Sequence, residues 1–233
     1  MCISAHEKIR TSTNLRSLPP QGSVSTNSTT CASLFDCKYS INTVDDLVKN
    51  DFILSIFEKN LKMKIVLLGY MASGKSSIGR KLSSKTGLAL IDLDDYIVER
   101  EKMTISNIFS EKGEIYFRKI EGIYLAEILN KKEDFILSLG GGTPCYGNNI
   151  QIINVANVTS IYLQASVKKL AERLIAKKQK RPLVASLNDD QIFEFVGKHL
   201  FERTRFYEQA KISIKTDGKK KNEVVEEIYN LLF

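Results

Sequence analysis

The sequence predicts an α/β fold in which helices flank a parallel five-stranded sheet on both faces, in three layers. From residue 63 to the C-terminus, short runs rich in Ile, Val and Leu alternate with longer segments whose apolar residues recur at helical spacing. This alternation is the order expected of a parallel sheet with crossover helices. The run at 135–139 is almost continuously apolar, which is typical of a strand buried on both faces.

The elements follow one another in a regular order. Strands are predicted at 64–68, 88–93, 135–139, 157–163 and 211–215. Helices are predicted at 75–86, 149–154, 166–178, 189–209 and 221–232. Residues 95–131 are predicted to be mostly helical, with breaks near Thr104 and Gly113. Ligands of such sheets bind beyond the carboxyl ends of the strands, so the polar residues that follow each strand are the candidates for function.

The first strand leads into the segment GYMASGKS at 69–76. This is the G-x-x-x-x-G-K-S pattern of a P-loop, in which backbone N–H groups surround a polyphosphate. Lys75 is expected to reach the β- and γ-phosphates, and the Ser76 hydroxyl is expected to hold magnesium. The helix that follows directs its positive N-terminal end at the same phosphates. The pattern therefore predicts ATP and Mg²⁺ as ligands, whereas an ordinary glycine-rich turn has no need for Lys and Ser at these places.

Two aspartates end the second strand. Asp92 and Asp94 are two residues apart, so their side chains share one direction on an extended chain. One carboxylate can hold magnesium through water, and the other can bind a substrate hydroxyl or take its proton. The alternative is that Asp94 or Asp95 caps the following helix, which leaves Asp92 unexplained.

The third strand ends in a run of glycines, Gly140, Gly141 and Gly142. Their N–H groups can form a nest for a carboxylate, although glycine runs elsewhere are often plain flexible loops. Arg118 lies in a predicted helix, where it either serves a substrate or pairs with Glu114 or Glu121.

Two further groups of basic residues lie near the C-terminal half. The segment KKQKRP at 177–182 either forms a mobile lid that brings Arg181 onto the transferred phosphate or is only a basic helix end. Arg203 and Tyr207 are four residues apart and share one face of a predicted helix.

Composition excludes several classes of function. The net charge is +7, but no basic stripe is interleaved with aromatic residues, so we expect no nucleic-acid partner. The four cysteines are scattered without a C-x-x-C pair, and the two histidines are far apart, so neither a zinc site nor a disulfide framework is indicated. No apolar run has the length of a membrane span, so we expect no membrane association.

The first 62 residues differ from the rest. Residues 1–35 are rich in Ser and Thr and contain one acidic residue, Glu7, a composition that predicts disorder. They fit a plastid transit peptide, an unstructured native tail, or translation that began upstream of a true start at Met63; we favour the last. Residues 41–62 are compatible with an amphipathic helix to which we assign no chemistry.

Taken in order, these pieces resemble the shikimate kinases. The resemblance rests on 69–76, Asp92-Leu93-Asp94, the segment FRKIE at 117–121, the three glycines, the segment RPL at 181–183, and Arg203 with Tyr207, and it covers residues 63–233. It implies the fold of nucleoside monophosphate kinases, with a core, a substrate-binding helical region and a mobile lid at about 177–190. It also implies ATP-dependent phosphorylation of the 3-hydroxyl of shikimate, a step towards chorismate and the aromatic amino acids.

The resemblance also implies roles for individual residues. Lys75, Asp94 and Arg181 would be catalytic, Arg118 and Arg203 would pair with the shikimate carboxylate, and Ser76 and Asp92 would serve magnesium. Shikimate would be bound by Asp94, Arg118, Gly140, Gly141, Gly142 and Arg203. ATP would be bound by Ala72, Ser73, Gly74, Lys75, Ser76, Ser77 and Arg181, with Arg173 and Lys219 near the adenine.

Two alternatives remain open at this stage. One is another small-molecule kinase of the same fold, such as a gluconate or nucleotide kinase. The other is an ATP-binding regulatory module without transfer chemistry. In either case we expect a monomer that works in the cytoplasm, or in a plastid if residues 1–62 are a transit peptide.

Overall fold

The computed structural model describes residues 63–178 and 184–233. The predictions made for residues 1–62, the RPL segment, and Arg181 within the expected lid lie outside these residues. Across the described ranges, none of the helices combines the length and the apolar character needed to cross a membrane.

In the part of the chain that the structure describes, five strands form one parallel sheet with the order β2-β3-β1-β4-β5. The strands are β1 (Lys64–Leu68), β2 (Ala89–Asp92), β3 (Phe135–Ser138), β4 (Thr159–Gln164) and β5 (Ile212–Lys215). Leu67 pairs with Ser138 on one side and with Ile161 on the other. The predicted fold class is confirmed, and the loops that follow β1 and β3 leave the sheet side by side.

The helices lie close to their predicted positions. They are α1 (Lys75–Thr86), α2 (Leu93–Glu101), α3 (Ile105–Leu129), α4 (Asn149–Val155), α5 (Val167–Ile175), α6 (Asp189–Tyr207) and α7 (Lys221–Leu232). Both predicted breaks are confirmed, because Thr104 caps α3 and Gly113 has non-helical dihedral angles within it. The structure differs at α2, which begins two residues earlier than predicted, and at α5, which ends three residues earlier.

The side chains of β1 divide the core into two layers. Ile65 and Leu67 pack into a cluster with residues of α1 and α7, whereas Val66 and Leu68 pack into a cluster with residues of α2 to α6. All four are fully buried, because successive side chains of a central parallel strand point to opposite, helix-covered faces. Burial of this kind stabilises the fold by about 1.5–3 kcal/mol for each large apolar side chain.

The turn from β1 into the next loop requires a glycine at position 69. Gly69 has a φ of 145°, and a Cβ there would lie 2.9 Å from the carbonyl oxygen of Leu163 at the end of β4. Gly87, at the C-terminus of α1, has a φ of 77° but no atom within 4 Å of its Cβ position. Both glycines thus have a positive φ, but only at Gly69 would a Cβ also meet another backbone atom.

We expect Gly69→Ala to lower the free energy of unfolding more than Gly87→Ala does. Gly87→Ala should cost about 1–2 kcal/mol of left-handed backbone strain. Gly69→Ala should lose about 1–3 kcal/mol more than Gly87→Ala, because the new methyl overlaps a backbone oxygen that cannot move without shifting β4. Urea denaturation of both variants measures the difference, and equal losses would contradict the packing of the loop against β4.

Candidate active site

The segment from Gly69 to Ser76 joins β1 to the N-terminus of α1. The loop turns through a hydrogen bond from the Ser73 N–H to the Tyr70 carbonyl (3.2 Å), and Ala72 holds a left-handed φ of 63°. Backbone strain at a non-glycine residue is typical of functional loops. Ser73 is buried, and its hydroxyl has no hydrogen-bond partner among the described residues.

Lys75 is nearly buried and bends back over this loop. Its ammonium group donates to the carbonyls of Gly69 (2.8 Å) and Tyr70 (2.9 Å). The positive charge is therefore held at the place where the P-loop pattern expects a polyphosphate.

Arg173 supports the loop from α5. Its Nη1 donates to the carbonyl oxygens of Ala72 and Ser73, both at 3.1 Å. These two carbonyls are thereby occupied by a cation, which favours a loop conformation that presents amide N–H groups to an anion. The expected contact of Arg173 with adenine stays a prediction. So does that of Lys219, whose ammonium group donates to Glu227 (2.6 Å) on α7.

Three oxygen-bearing side chains meet where β2, β3 and α1 come together. The Ser76 hydroxyl donates to Asp92 Oδ2 (2.9 Å) and lies 3.4 Å from the Ser138 hydroxyl. Carboxylate and hydroxyl oxygens are the ligand type that Mg²⁺ prefers. Within the described residues no cluster of three or more His, Cys, Asp or Glu side chains could hold a metal.

The helix cap at the start of α2 is Asp92. Its Oδ1 accepts from the Asp94 backbone N–H (3.2 Å). The alternative in which Asp94 or Asp95 only caps the helix is wrong, because α2 begins directly after β2 at Leu93. Asp92 thus caps the helix with one oxygen and contacts Ser76 with the other, which leaves the Asp94 side chain available for a ligand.

Asp94 lies beside the glycine loop, and it remains accessible to solvent. A Cβ on Gly140 would lie 3.2 Å from Asp94 Oδ1. The pKa of Asp94 is raised from 3.8 to about 6, chiefly by desolvation within the site. Repulsion from Asp92 and Glu121 contributes to this rise, whereas the positive charge of Lys75 lowers the pKa. A carboxylate with this pKa is ionised at neutral pH and is a stronger base than an ordinary aspartate.

The glycine loop packs tightly against three partners. Besides the contact of Gly140 with Asp94, a Cβ on Gly141 would lie 3.0 Å from the Met71 backbone nitrogen of the P-loop. A Cβ on Gly142 would lie 3.2 Å from Arg118 Nη1. Any larger residue would push the P-loop, Asp94 or Arg118 away, so this run is a packing requirement and not a plain flexible loop.

Arg118 pairs with both acidic neighbours on α3. Its Nε donates to Glu114 (3.3 Å) and its Nη1 to Glu121 (2.9 Å). Glu121 is only 1% exposed and also accepts from the Thr143 hydroxyl (2.6 Å). Both pairings considered from the sequence exist, yet the guanidinium group lies against Gly142 at the site and not on a solvated face.

Arg203 reaches the same place from α6. Its guanidinium carbon lies 5.6 Å from the centre of the Tyr70 ring. Tyr207, one turn further on, is fully buried and donates its hydroxyl to the Gly141 carbonyl. Burial raises the pKa of Tyr207 well above its usual value, so this hydroxyl stays protonated and ties α6 to the glycine loop.

Cys145 shows that the two arginines converge. Burial raises the pKa of its thiol to about 11, while Arg203 and, to a smaller extent, Arg118 lower it. Both guanidinium groups are therefore near one thiol, although they lie on different helices. With this raised pKa the thiol is neutral at physiological pH, so it adds no negative charge beside the arginines.

The structure brings together most of the residues that the sequence singled out. The P-loop, Asp92, Asp94, Arg118, the three glycines and Arg203 lie along one edge of the sheet. Several residues at the site were given no role from the sequence: Tyr70, Ser138, Thr143, Cys145 and Tyr146. Glu121 was considered only as a partner of Arg118, from which it lies one helical turn away.

Comparisons with known proteins agree on one family. A family model for shikimate kinase matches residues 71–233. The chain is 49% identical to a shikimate kinase of Flavobacterium psychrophilum over 170 residues, which cover 73% of this chain and 99% of that protein. It is 43% identical to a shikimate kinase of Flavobacterium johnsoniae, over 72% of this chain and 98% of that protein.

Solved structures give the same answer. A crystal structure of a shikimate kinase from Bacteroides thetaiotaomicron superposes with a TM-score of 0.68 at 33% identity, covering 73% of this chain and 98% of that one. A shikimate kinase from Acinetobacter baumannii in complex with shikimate superposes with a TM-score of 0.65 at 28% identity, covering 76% and 95%. This chain belongs to the shikimate kinase family.

Proposed function

We propose that this protein transfers the γ-phosphoryl group of ATP to the 3-hydroxyl of shikimate, giving shikimate 3-phosphate and ADP on the route to chorismate and the aromatic amino acids. One observation carries the proposal: a P-loop and a pocket with a basic carboxylate and two converging arginines share one edge of the sheet. Gly141 joins them, because it lies directly against Met71 of the P-loop. The membership of the shikimate kinase family supports the choice of acceptor.

ATP would be held by the loop from Ala72 to Ser77. Its amide N–H groups and the N-terminus of α1 would surround the phosphates, and the Ser73 hydroxyl, which has no partner among the described residues, would gain one. Lys75 would move from the loop carbonyls towards the phosphate oxygens, which are stronger acceptors because they are charged. Arg181 would close over the transferred group from the lid, and Arg173 and Lys219 would lie towards the adenine.

Ser76 and Asp92 would hold Mg²⁺, since their oxygens already lie 2.9 Å apart in a site of hard ligands. When bound, the ion supplies neutralisation of the charge that develops between the β- and γ-phosphates.

Shikimate would place its carboxylate between Arg118 and Arg203. The planar guanidinium fork matches a carboxylate, and the N–H groups of Gly140, Gly141 and Gly142 add neutral donors. Asp94 would accept the hydrogen bond of the 3-hydroxyl and so orient it for in-line attack, with a pKa that also suits it to take the proton.

The alternatives fit less well. A gluconate or nucleotide kinase of this fold is not what the family model or the most similar relatives indicate. A regulatory module without transfer chemistry has no need for Lys75, Ser76, Asp92 and Asp94 in one cluster. We further propose that residues 63–233 form the kinase domain, that residues 1–62 are an extension outside it, and that the protein works as a cytoplasmic monomer without nucleic-acid partners.

The full chain should produce ADP from ATP and Mg²⁺ only when shikimate is added, and not with gluconate or a nucleoside monophosphate. Lys75→Ala should reduce kcat by about 100-fold or more, because it removes a charge that stabilises the transition state. Lys81→Ala, an exposed lysine on the same helix, is the matched control. A coupled assay measures both, and near-parental turnover of Lys75→Ala would refute the P-loop role.

Arg118→Ala should raise the KM for shikimate by at least about 30-fold, because one half of the carboxylate clamp is lost. The KM for ATP should not change. Arg118→Lys should lie between the parent and Arg118→Ala, since it keeps the charge but not the fork. Thermal unfolding of each variant shows whether the loss of the ion-pair partner of Glu121 destabilises the fold. A change in the KM for ATP alone would contradict the assignment of Arg118 to the shikimate carboxylate.

The value of kcat/KM for shikimate should fall by about tenfold per pH unit below pH 6, because the Asp94 carboxyl, with a pKa of about 6, becomes protonated and no longer accepts the hydroxyl. Glu121→Gln removes a neighbouring negative charge that raises this pKa. The pH below which kcat/KM for shikimate falls should therefore be lower in Glu121→Gln than in the parent. An unchanged pH dependence would show that Asp94 does not control the loss of activity in acid.

A further inference from the structure

The Arg118 guanidinium group is fixed on several sides at once. Glu114 binds Nε and Glu121 binds Nη1. The Tyr146 ring lies against one of its faces, with 3.8 Å between the guanidinium carbon and the ring centre. Gly142 lies close to the same group, since a Cβ added there would lie 3.2 Å and 3.3 Å from Nη1 and Nη2. Among the described residues, Nη2 has no hydrogen-bond partner, so both of its N–H groups are available to a ligand.

Tyr146 is itself held in place. Its hydroxyl donates to Glu114 Oε1 (3.0 Å), the same oxygen that accepts from Arg118 Nε. Its carbonyl accepts from the Asn149 backbone N–H (3.2 Å), which secures the turn into α4. Tyr146 directly follows the 3₁₀ helix Thr143–Cys145. The ring is thus placed by the same loop that carries Gly142.

We propose that Tyr146 is a positioning residue that sets Arg118 for the substrate carboxylate, an inference that rests on the proposed shikimate kinase activity. A free arginine side chain loses considerable rotamer entropy when it binds, and this loss weakens binding. Stacking on an aromatic face restrains the guanidinium plane beforehand and leaves its charge and outer nitrogen available. Tyr146 therefore strengthens carboxylate binding without touching the substrate.

The two arginines of the clamp are supported unequally. Arg203 lies 5.6 Å from the Tyr70 ring centre, whereas Arg118 lies 3.8 Å from that of Tyr146 and has two carboxylate partners as well. Arg118 is thus the more firmly oriented of the two, and Tyr146 is the aromatic contact with the greater effect. Tyr146 is only partly buried, so its replacement leaves no closed cavity in the core.

The test compares Tyr146→Leu with Tyr146→Phe in the full chain. Tyr146→Leu should raise the KM for shikimate by about threefold to tenfold, the range expected for a partly desolvated cation–π contact. The value of kcat and the KM for ATP should stay within about twofold of the parent, because the lost interaction is made equally in the ground and transition states. Tyr146→Phe keeps the ring and should stay close to the parent.

A second substrate separates positioning from a general loss of structure. With the analogue whose carboxylate is reduced to a primary alcohol, Tyr146→Leu and the parent should have the same KM, because Arg118 no longer has an anion to bind. The inference is overturned if Tyr146→Leu leaves the shikimate KM unchanged, raises the KM of both substrates equally, or is matched by Tyr146→Phe. A parent chain that does not phosphorylate shikimate would instead overturn the proposed function, and this inference with it.

Discussion

The contact between the glycine loop and the P-loop is the constraint on which the site depends. Because β1 and β3 are parallel neighbours in register, the loops that follow them leave the sheet together. Gly141 then approaches the Met71 backbone closely enough that any side chain would collide. A nucleotide bound by one loop and an acidic ring bound by the other are thereby brought to one edge, where positioning alone removes much of the barrier to transfer.

Charge balance is the second organising feature. The carboxylates of Asp92, Asp94 and Glu121 lie at the same site as Lys75 of the P-loop, Arg118 of α3 and Arg203 of α6. Glu121 is buried, and the hydrogen bonds that its carboxylate accepts from Arg118 and Thr143 offset the cost of removing its charge from water. Asp92 is bound to a hydroxyl and a backbone amide. Asp94 is the carboxylate whose raised pKa marks it for chemistry, and desolvation together with repulsion from the other two carboxylates is the cause.

The cations are likewise held before any ligand arrives. Lys75 donates to carbonyls of its own loop, and Arg118 contacts two carboxylates and the Tyr146 ring. Arg203 lies near the Tyr70 ring. Such preorganisation lowers the entropic cost of binding and is characteristic of sites in which positioning and electrostatics provide most of the catalysis. Tyr207 extends this order to α6, since its hydroxyl ties that helix to the glycine loop.

Local patterns were sufficient for the elements and for the P-loop. The β1 run and the breaks near Thr104 and Gly113 depend on residues within a few positions of one another, and each is confirmed. The alternative in which Asp94 or Asp95 caps the helix was wrong, because α2 begins directly after β2 and the aspartate that ends the strand takes the capping role. The sequence could not place the boundary between β2 and α2 to within two residues, since the neighbouring aspartates are equally good helix caps.

By itself the sequence determined the order of strands and helices, the phosphate-binding loop and the residue types of an acid-binding pocket, because all of these are encoded in short-range spacing. Tertiary structure alone decided that Tyr146 stacks on Arg118, that Thr143 donates to the buried Glu121 and that the charges of two arginines act on the Cys145 thiol. These contacts join residues 22 or more positions apart, such as Glu121 and Thr143. Only the packing of α3, α6 and the glycine loop over the sheet brings them within reach, and no local periodicity carries that information.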